Sequence, residues 1–244
     1  MNKKILKPIL ASSIVVALLA GCVNGGMPTV TNADGSTNNT QTGAIIGGLL
    51  GAVIGGTTAN HGGKRVAIGG AIGAAVGAAV GYSLDQQAAE VAQTLNTNVN
   101  NNPAAEQNAN NDLIVSNTDK YVKIMFRDDM MFATNSSTPT ASAQAKISQL
   151  TPVLQKYPNT IIQTVGHTDS RGSFQHNQTL SEARASSVGQ TVHSSGISNP
   201  IYSKGCSYSK PIAQNTSDAN MALNRRVEVY LYPDQASVVD PCRK

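Results

Sequence analysis

Gly166-His167-Thr168-Asp169-Ser170-Arg171-Gly172-Ser173, then Asn177, then Leu180-Ser181-Glu182-Ala183-Arg184-Ala185, and finally Asn224-Arg225-Arg226-Val227-Glu228, decide how the second half of this chain is read. The apolar run from Ile161 to Val165 predicts a strand, and the segment from about Ser173 to His193 predicts a helix ending before Gly196. Asp169 therefore stands just past a strand, in a turn closed by Gly172. Arg184 stands on the helix that follows, with Leu180 and Val188 four residues to either side and Val192 at eight. An arginine on an apolar stripe must snorkel to water or find a partner. A carboxylate suits it, because the planar guanidinium takes one in bidentate fashion. Asp169 can accept hydrogen bonds from the early amides of the same helix. Such an acid and base can read the zwitterionic end of an amino acid, or they can simply pair with each other. The residues alone leave both readings open.

Outward from this stretch the pattern alternates. Tyr121-Val122-Lys123-Ile124-Met125-Phe126 predicts a strand, and Ser136-Ser137-Thr138-Pro139 a helix entry with capping hydroxyls and an early proline. Ile147, Leu150 and Leu154 mark a helical face up to Tyr157, with a kink or break expected at Pro152. Ile201-Tyr202-Ser203 predicts a third strand, Asp218 to Asn224 a helix, and Val227 to Tyr232 a last strand. In that strand Val227, Val229 and Leu231 alternate inward against Glu228, Tyr230 and Tyr232. Strands alternating with helices predict an α/β fold, a two-layer α/β sandwich, over residues 119–232. A domain of that size can bury its own core.

The order and spacing of these motifs resemble the OmpA-like peptidoglycan-binding domain of bacterial envelope proteins, across residues 119–232. The resemblance implies that Asp169 and Arg184 contact the diaminopimelate of the peptidoglycan stem peptide, whose free ammonium and carboxylate suit such a pair. Asn177, Leu180 and Arg226 also fall at motif positions. Asn177 offers donors and acceptors, and Leu180 is either an apolar wall or core. Alternation sends the Arg225 and Arg226 side chains to opposite faces, and Arg226 is expected at the site with Arg225 structural or exposed. Thr168 and His167 line the same turn, chiefly as scaffold, with Thr168 retained in the binding set. Two departures from the family pattern affect loops near the site: Gly205-Cys206-Ser207 stands where Gly-x-Gly is common, and Asp218-Ala219-Asn220-Met221-Ala222-Leu223 replaces the usual approach to the last strand.

The start of the chain is a targeting segment. Lys3, Lys4 and Lys7 precede a short apolar run from Ile9 to Ala20, a secretory signal over residues 1–21 rather than a convincing span. Leu19-Ala20-Gly21-Cys22 resembles a bacterial lipobox, which implies acylation of Cys22 and a lipid anchor; the alternative is an ordinary signal with an incidental cysteine. Val23 stands where some lipoproteins carry an inner-membrane retention aspartate, which favours the outer membrane, with the C-terminal domain in the periplasm. The whole chain has 18 basic and 14 acidic residues, and without the three signal lysines 15 basic remain, a net +1. With no basic tract interleaved with aromatics, nucleic acid is not an expected partner. Cys206 and Cys242 are left for a disulfide in an oxidising compartment, or stay as two thiols.

Residues 22–42 read as a flexible tether. In residues 43–84, Gly43, Gly47, Gly51 and Gly55, then Gly69, Gly73, Gly77 and Gly81, recur at every fourth position. Glycine costs a water-exposed helix about 1 kcal/mol relative to alanine, so the spacing predicts close helix packing and resembles a glycine-zipper hairpin. The hairpin is expected at the membrane, spanning or not, and able to form homo-oligomers. Residues 85–118 read as a helix end and an Asn-rich linker, and 233–244 as a tail. A hydrolase would need a nucleophile elbow, which no Gly-x-Ser-x-Gly supplies. His167, His176 and Asp169 lack a recognised metal-ligand spacing. The expectation is a binding protein without catalytic activity, cofactor or metal.

Overall fold

The computed structural model describes residues 80–243, together with position 44. The signal segment, Cys22, the tether and nearly all of the zipper lie outside the described residues. Among the described residues, no helix is long and apolar enough to cross a membrane.

The first element is a helix, α1, over 80–94. A 3-10 helix, Pro103–Gln107, follows, and then strands β1 (Leu113–Asn117) and β2 (Val122–Arg127). Next come short helices α2 (Asp128–Met131), α3 (Ala141–Ser148) and α4 (Thr151–Lys156), strand β3 (Ile161–His167) and the long helix α5 (Phe174–Ser194). Strand β4 (Ile201–Gly205), helix α6 (Asp218–Asn224) and strand β5 (Arg226–Tyr232) close the domain. The sheet order is β1-β2-β5-β3-β4. β3 and β4 are parallel, joined by α5, and the other pairings are antiparallel. This is the expected two-layer α/β architecture, with α1, α3, α4 and α5 packed on one face of the sheet.

The core lies between helices and sheet. Val122, Ile124 and Phe126 of β2 and Val227, Val229 and Leu231 of β5 meet Ile147, Leu154, Val188 and Val192 there. Pro152 sits at the start of α4, so the expected break at proline separates α3 from α4. Ser173 caps α5 by accepting the amide of His176. The helix entry expected at Ser136–Pro139 lies slightly later: Thr140 is the cap of α3, and Pro139 instead bridges to Phe132.

Glycine lets α5 approach the sheet closely. A Cβ on Gly166 would lie 2.1 Å from the Ser181 carbonyl oxygen, and one on Gly205 would lie 2.5 Å from the Glu182 amide nitrogen. Those glycines are register partners on β3 and β4, so the helix rides over a side-chain-free strip. Nearby, Ser207 has φ of +48°, the left-handed region that glycine adopts at no steric cost. Its hydroxyl donates to the Phe174 carbonyl and its amide donates to Ser181 Oγ.

Three expectations need correction. Residues 85–118 are not a free linker. Leu84, Ala88, Val91, Ala92 and Leu95, an amphipathic helical series, are buried in the same core as the sheet. The Asn-rich part is tied down as well: Val99 bridges to Val115, and Ala105 packs on Ile114 and Met125. The domain thus takes in residues ahead of the expected start at 119, from Leu84 at least, and it includes a strand, β1, that the alternation did not reveal. The third correction concerns the face of β5 turned away from the helices. Glu228 and Tyr232 on it are buried, not outward in solvent.

That face holds a polar network. Glu228 accepts from Arg226 Nε at 2.8 Å and from the Tyr230 hydroxyl at 2.8 Å, and lies 3.1 Å from His167 Nε2. Burial works to raise the Glu228 carboxyl, but Arg226 and His167 hold it well below the usual carboxylate range. Burial pushes the His167 imidazole down and the Tyr230 hydroxyl up. Cys206 and Cys242 are joined in a disulfide that pins the tail beside β4.

Candidate functional site

The register of the sheet assembles the site. Arg226 opens β5 and pairs with Arg127 at the end of β2 and with His167 at the end of β3. All three side chains share the face away from the helices, so the next backbone positions, Asp128, Thr168 and Arg225, fall on the helix side. The Asp128 amide donates to the Arg225 carbonyl at 3.1 Å. Above them passes the N-terminal half of α5. The result is a cleft of about 720 Å³ lined by Asp128, Phe132, Thr168, Asp169, Arg171, His176, Asn177, Leu180, Arg184 and Arg225, among others.

Acids and guanidiniums alternate along this cleft. Asp169 Oδ2 accepts from Arg171 Nη2 at 2.7 Å and Nε at 3.1 Å, and from Arg225 Nη1 at 3.0 Å, while Oδ1 accepts the Arg171 amide. Burial works to raise the Asp169 carboxyl, yet the hydrogen bonds from Arg171 and Arg225 hold it below its ordinary value. Arg225 also lies 3.9 Å from both Asp128 and Asp129. Arg184 forms a 2.7 Å ion pair with Asp128, and its Nε donates to the Ser136 carbonyl at 3.0 Å. Its guanidinium sits 4.9 Å from the centre of the Phe132 ring, a favourable cation–π placement. Burial raises the Asp128 carboxyl and lowers the Arg184 guanidinium. Desolvation therefore outweighs attraction on both sides of that pair.

The structure brings Asp169, Thr168, Asn177, Leu180 and Arg184 to one place. Asp169 and Arg184 do not pair with each other; Asp128 and Arg225 stand between them. Asn177 Nδ2 donates to the Arg171 carbonyl at 2.8 Å and fixes the turn at Gly172, whose φ is +86°. Leu180 is half-buried, an apolar wall rather than core. The Thr168 hydroxyl is buried at the wall of the cleft and has no hydrogen-bond partner among the described residues.

Arg226 does not approach the cleft, and this corrects the expected roles of the arginine pair. It is buried on the other face, bound to Glu228 and to the Asn224 and Lys210 carbonyls. Arg225 is the one in the cleft. Alternation contained the answer: Arg225 shares the parity of Val227, Val229 and Leu231, which face the helices. His167 likewise points at Glu228 and not into the cleft. The sequence reading also missed Asp128, although its signal matched that of Asp169, an acid directly after an apolar strand.

The C-terminal part of the chain is similar to the OmpA family. Residues 131–225 match the OmpA family, and residues 1–85 match the YMGG-like Gly-zipper. The probable lipoprotein YiaD of Escherichia coli (strain K12) is 33% identical over 107 residues, covering 43% of this chain and 49% of that protein. Outer membrane protein A of Bordetella avium is 36% identical over 108 residues, 44% of this chain and 56% of that one. Outer membrane porin F of Pseudomonas fluorescens is 35% identical over 101 residues, 41% of this chain and 31% of that one. The chain thus spans about half or less of the length of most of these relatives. Among solved structures, the cell wall anchor of the T6SS from Pseudomonas aeruginosa is similar at 25% identity, TM-score 0.46, over 53% of this chain and 94% of that one. The peptidoglycan-associated lipoprotein of Burkholderia pseudomallei is similar at 26% identity, TM-score 0.39, over 42% and 87%.

Proposed function

We propose that this protein is a non-enzymatic outer-membrane lipoprotein, anchored through acylated Cys22, whose C-terminal domain in the periplasm binds peptidoglycan without a covalent bond. The bound group is the diaminopimelate of the stem peptide, and the result is a tether from membrane to wall. One observation carries this reading: Asp169, Thr168, Asn177, Leu180 and Arg184 converge in a single cleft of alternating charge. A ligand with one ammonium and one carboxylate can enter such a chain and leave no group unpaired. A ligand with one charge would strand a buried partner. The names of the relatives, outer membrane proteins and lipoproteins, agree with an envelope location.

The test is co-sedimentation of the full-length chain, in detergent, with insoluble peptidoglycan. Wild type is expected in the pellet, and Asp169→Ala and Arg184→Ala in the supernatant. Wild type remaining in the supernatant would sink the reading.

The Gly-zipper match over residues 1–85 supports a second reading, in which a membrane oligomer is the working part and the OmpA-like domain only its anchor. Under it, Gly51→Leu with Gly77→Leu converts the oligomer in detergent to smaller species. A size distribution that those substitutions leave alone rules it out.

A further inference from the structure

A second groove, of about 460 Å³, runs between α3 and the C-terminal half of α5. Thr138, Gln144, Ser148, Ser187, Gln190 and Thr191 form most of it, and no charged side chain lines it. Ser187 Oγ donates to the Arg184 carbonyl and Thr191 Oγ1 to the Ser187 carbonyl, each at 2.9 Å, which leaves both oxygens free to accept. Gln190, Ser148 and Thr138 make no side-chain hydrogen bond among the described residues. The lining therefore both donates and accepts, and it is neutral throughout. It suits a neutral ligand dense in hydroxyls and amides, and it offers nothing to balance a charge.

The groove adjoins the cleft. The same helix lines both, with Arg184 in one and Thr191 in the other, about 10 Å apart along its axis. The loop after α2 also walls both, through Asn135 in the cleft and Thr138 in the groove. In peptidoglycan a short peptide joins diaminopimelate to the sugar, and extended it spans about 10 Å. We propose that the groove holds an N-acetylated sugar ring of the glycan strand while the cleft holds the stem peptide attached to it. The assignment rests on the stem-peptide reading above.

Two soluble probes test it: a disaccharide-peptide bearing diaminopimelate, and the same peptide after an amidase has removed the sugars. Calorimetry on the full-length chain is expected to show the sugar-bearing probe bound about tenfold more tightly, the effect of about two added hydrogen bonds. Gln190→Ala combined with Ser148→Ala changes two exposed side chains. It is expected to reduce that probe to the affinity of the bare peptide and leave the bare peptide unaffected. Asp169→Ala is expected to lose both probes. Equal wild-type affinity for the two probes, or a double variant that weakens both alike, overturns the groove assignment and leaves the cleft standing. Wild-type binding to neither probe overturns both.

Discussion

Removal of residues 80–95 is expected to leave the C-terminal domain unable to hold its fold. Leu84, Ala88, Val91, Ala92 and Leu95 are nearly inaccessible to solvent and belong to the same cluster as Val122, Phe126, Val229 and Leu231. At about 1.5–3 kcal/mol for each large aliphatic side chain, the three largest contribute about 5–9 kcal/mol. Burial computed against an extended chain overstates that sum, but a domain's whole stability is only about 5–15 kcal/mol. Polar contacts add to the loss. Gln87 Nε2 donates to Thr160 Oγ1 in the interior at 3.1 Å, and Asn117 Nδ2 donates to Asp85 at 2.7 Å. Circular dichroism melts of chains beginning at residue 80 and at residue 96 decide the matter. The longer chain should unfold cooperatively and the shorter should show no cooperative transition. Equal midpoints would mean that the helix is only a surface attachment.

The second large effect is expected at Asp128. Alanine there removes the 2.7 Å partner of Arg184, whose side chain is 4% exposed. A buried charge stripped of its partner costs about 3–5 kcal/mol, so Asp128→Ala should lower the urea midpoint steeply. On the proposed function it should also weaken peptidoglycan binding, because Arg184 would turn toward Asp169 or water. Replacing both partners, as Asp128→Ala with Arg184→Met, removes the stranded charge and should restore most of the stability without restoring binding. A single variant as stable as wild type would show that water reaches Arg184 freely and that the pair does not organise the cleft.

Much of the fold was legible because its signals are local. The strands at Val122, Ile161 and Val227 alternate or run apolar, the break at Pro152 follows from ring sterics, and α6 begins and ends where its polar flanks suggest. What escaped depended on partners distant in sequence. The apolar positions of α1 have a helical period, but they directly continue the glycine zipper, which masks where one unit ends and the next begins. β1 is short, and Asn-rich sequence precedes it. Asp169 and Arg184 could be singled out from their places on strand end and apolar stripe. Their actual partners, Arg171, Arg225 and Asp128, could not, because three acids and three arginines admit many pairings until the sheet register fixes which residues meet. The exchange of roles between Arg225 and Arg226 is different: parity along β5 already placed Arg225 with the helices. The resemblance to a motif position carried more weight there than the geometry did.

The docking of α1 has a mechanical consequence. If, as proposed, the chain is held at one end by lipid and at the other by the wall, tension from the membrane side reaches the sheet through α1. It acts along a helix whose far end continues into the bridge at Val99. Load would then shear a row of aliphatic contacts, rather than pull strands apart one hydrogen bond at a time. Because α1 completes the core, peeling it away would unmake the domain and disturb the cleft with it. On the proposed function the helix is thereby placed as a breaking point: the load that strips it from the sheet also ends the grip on the wall.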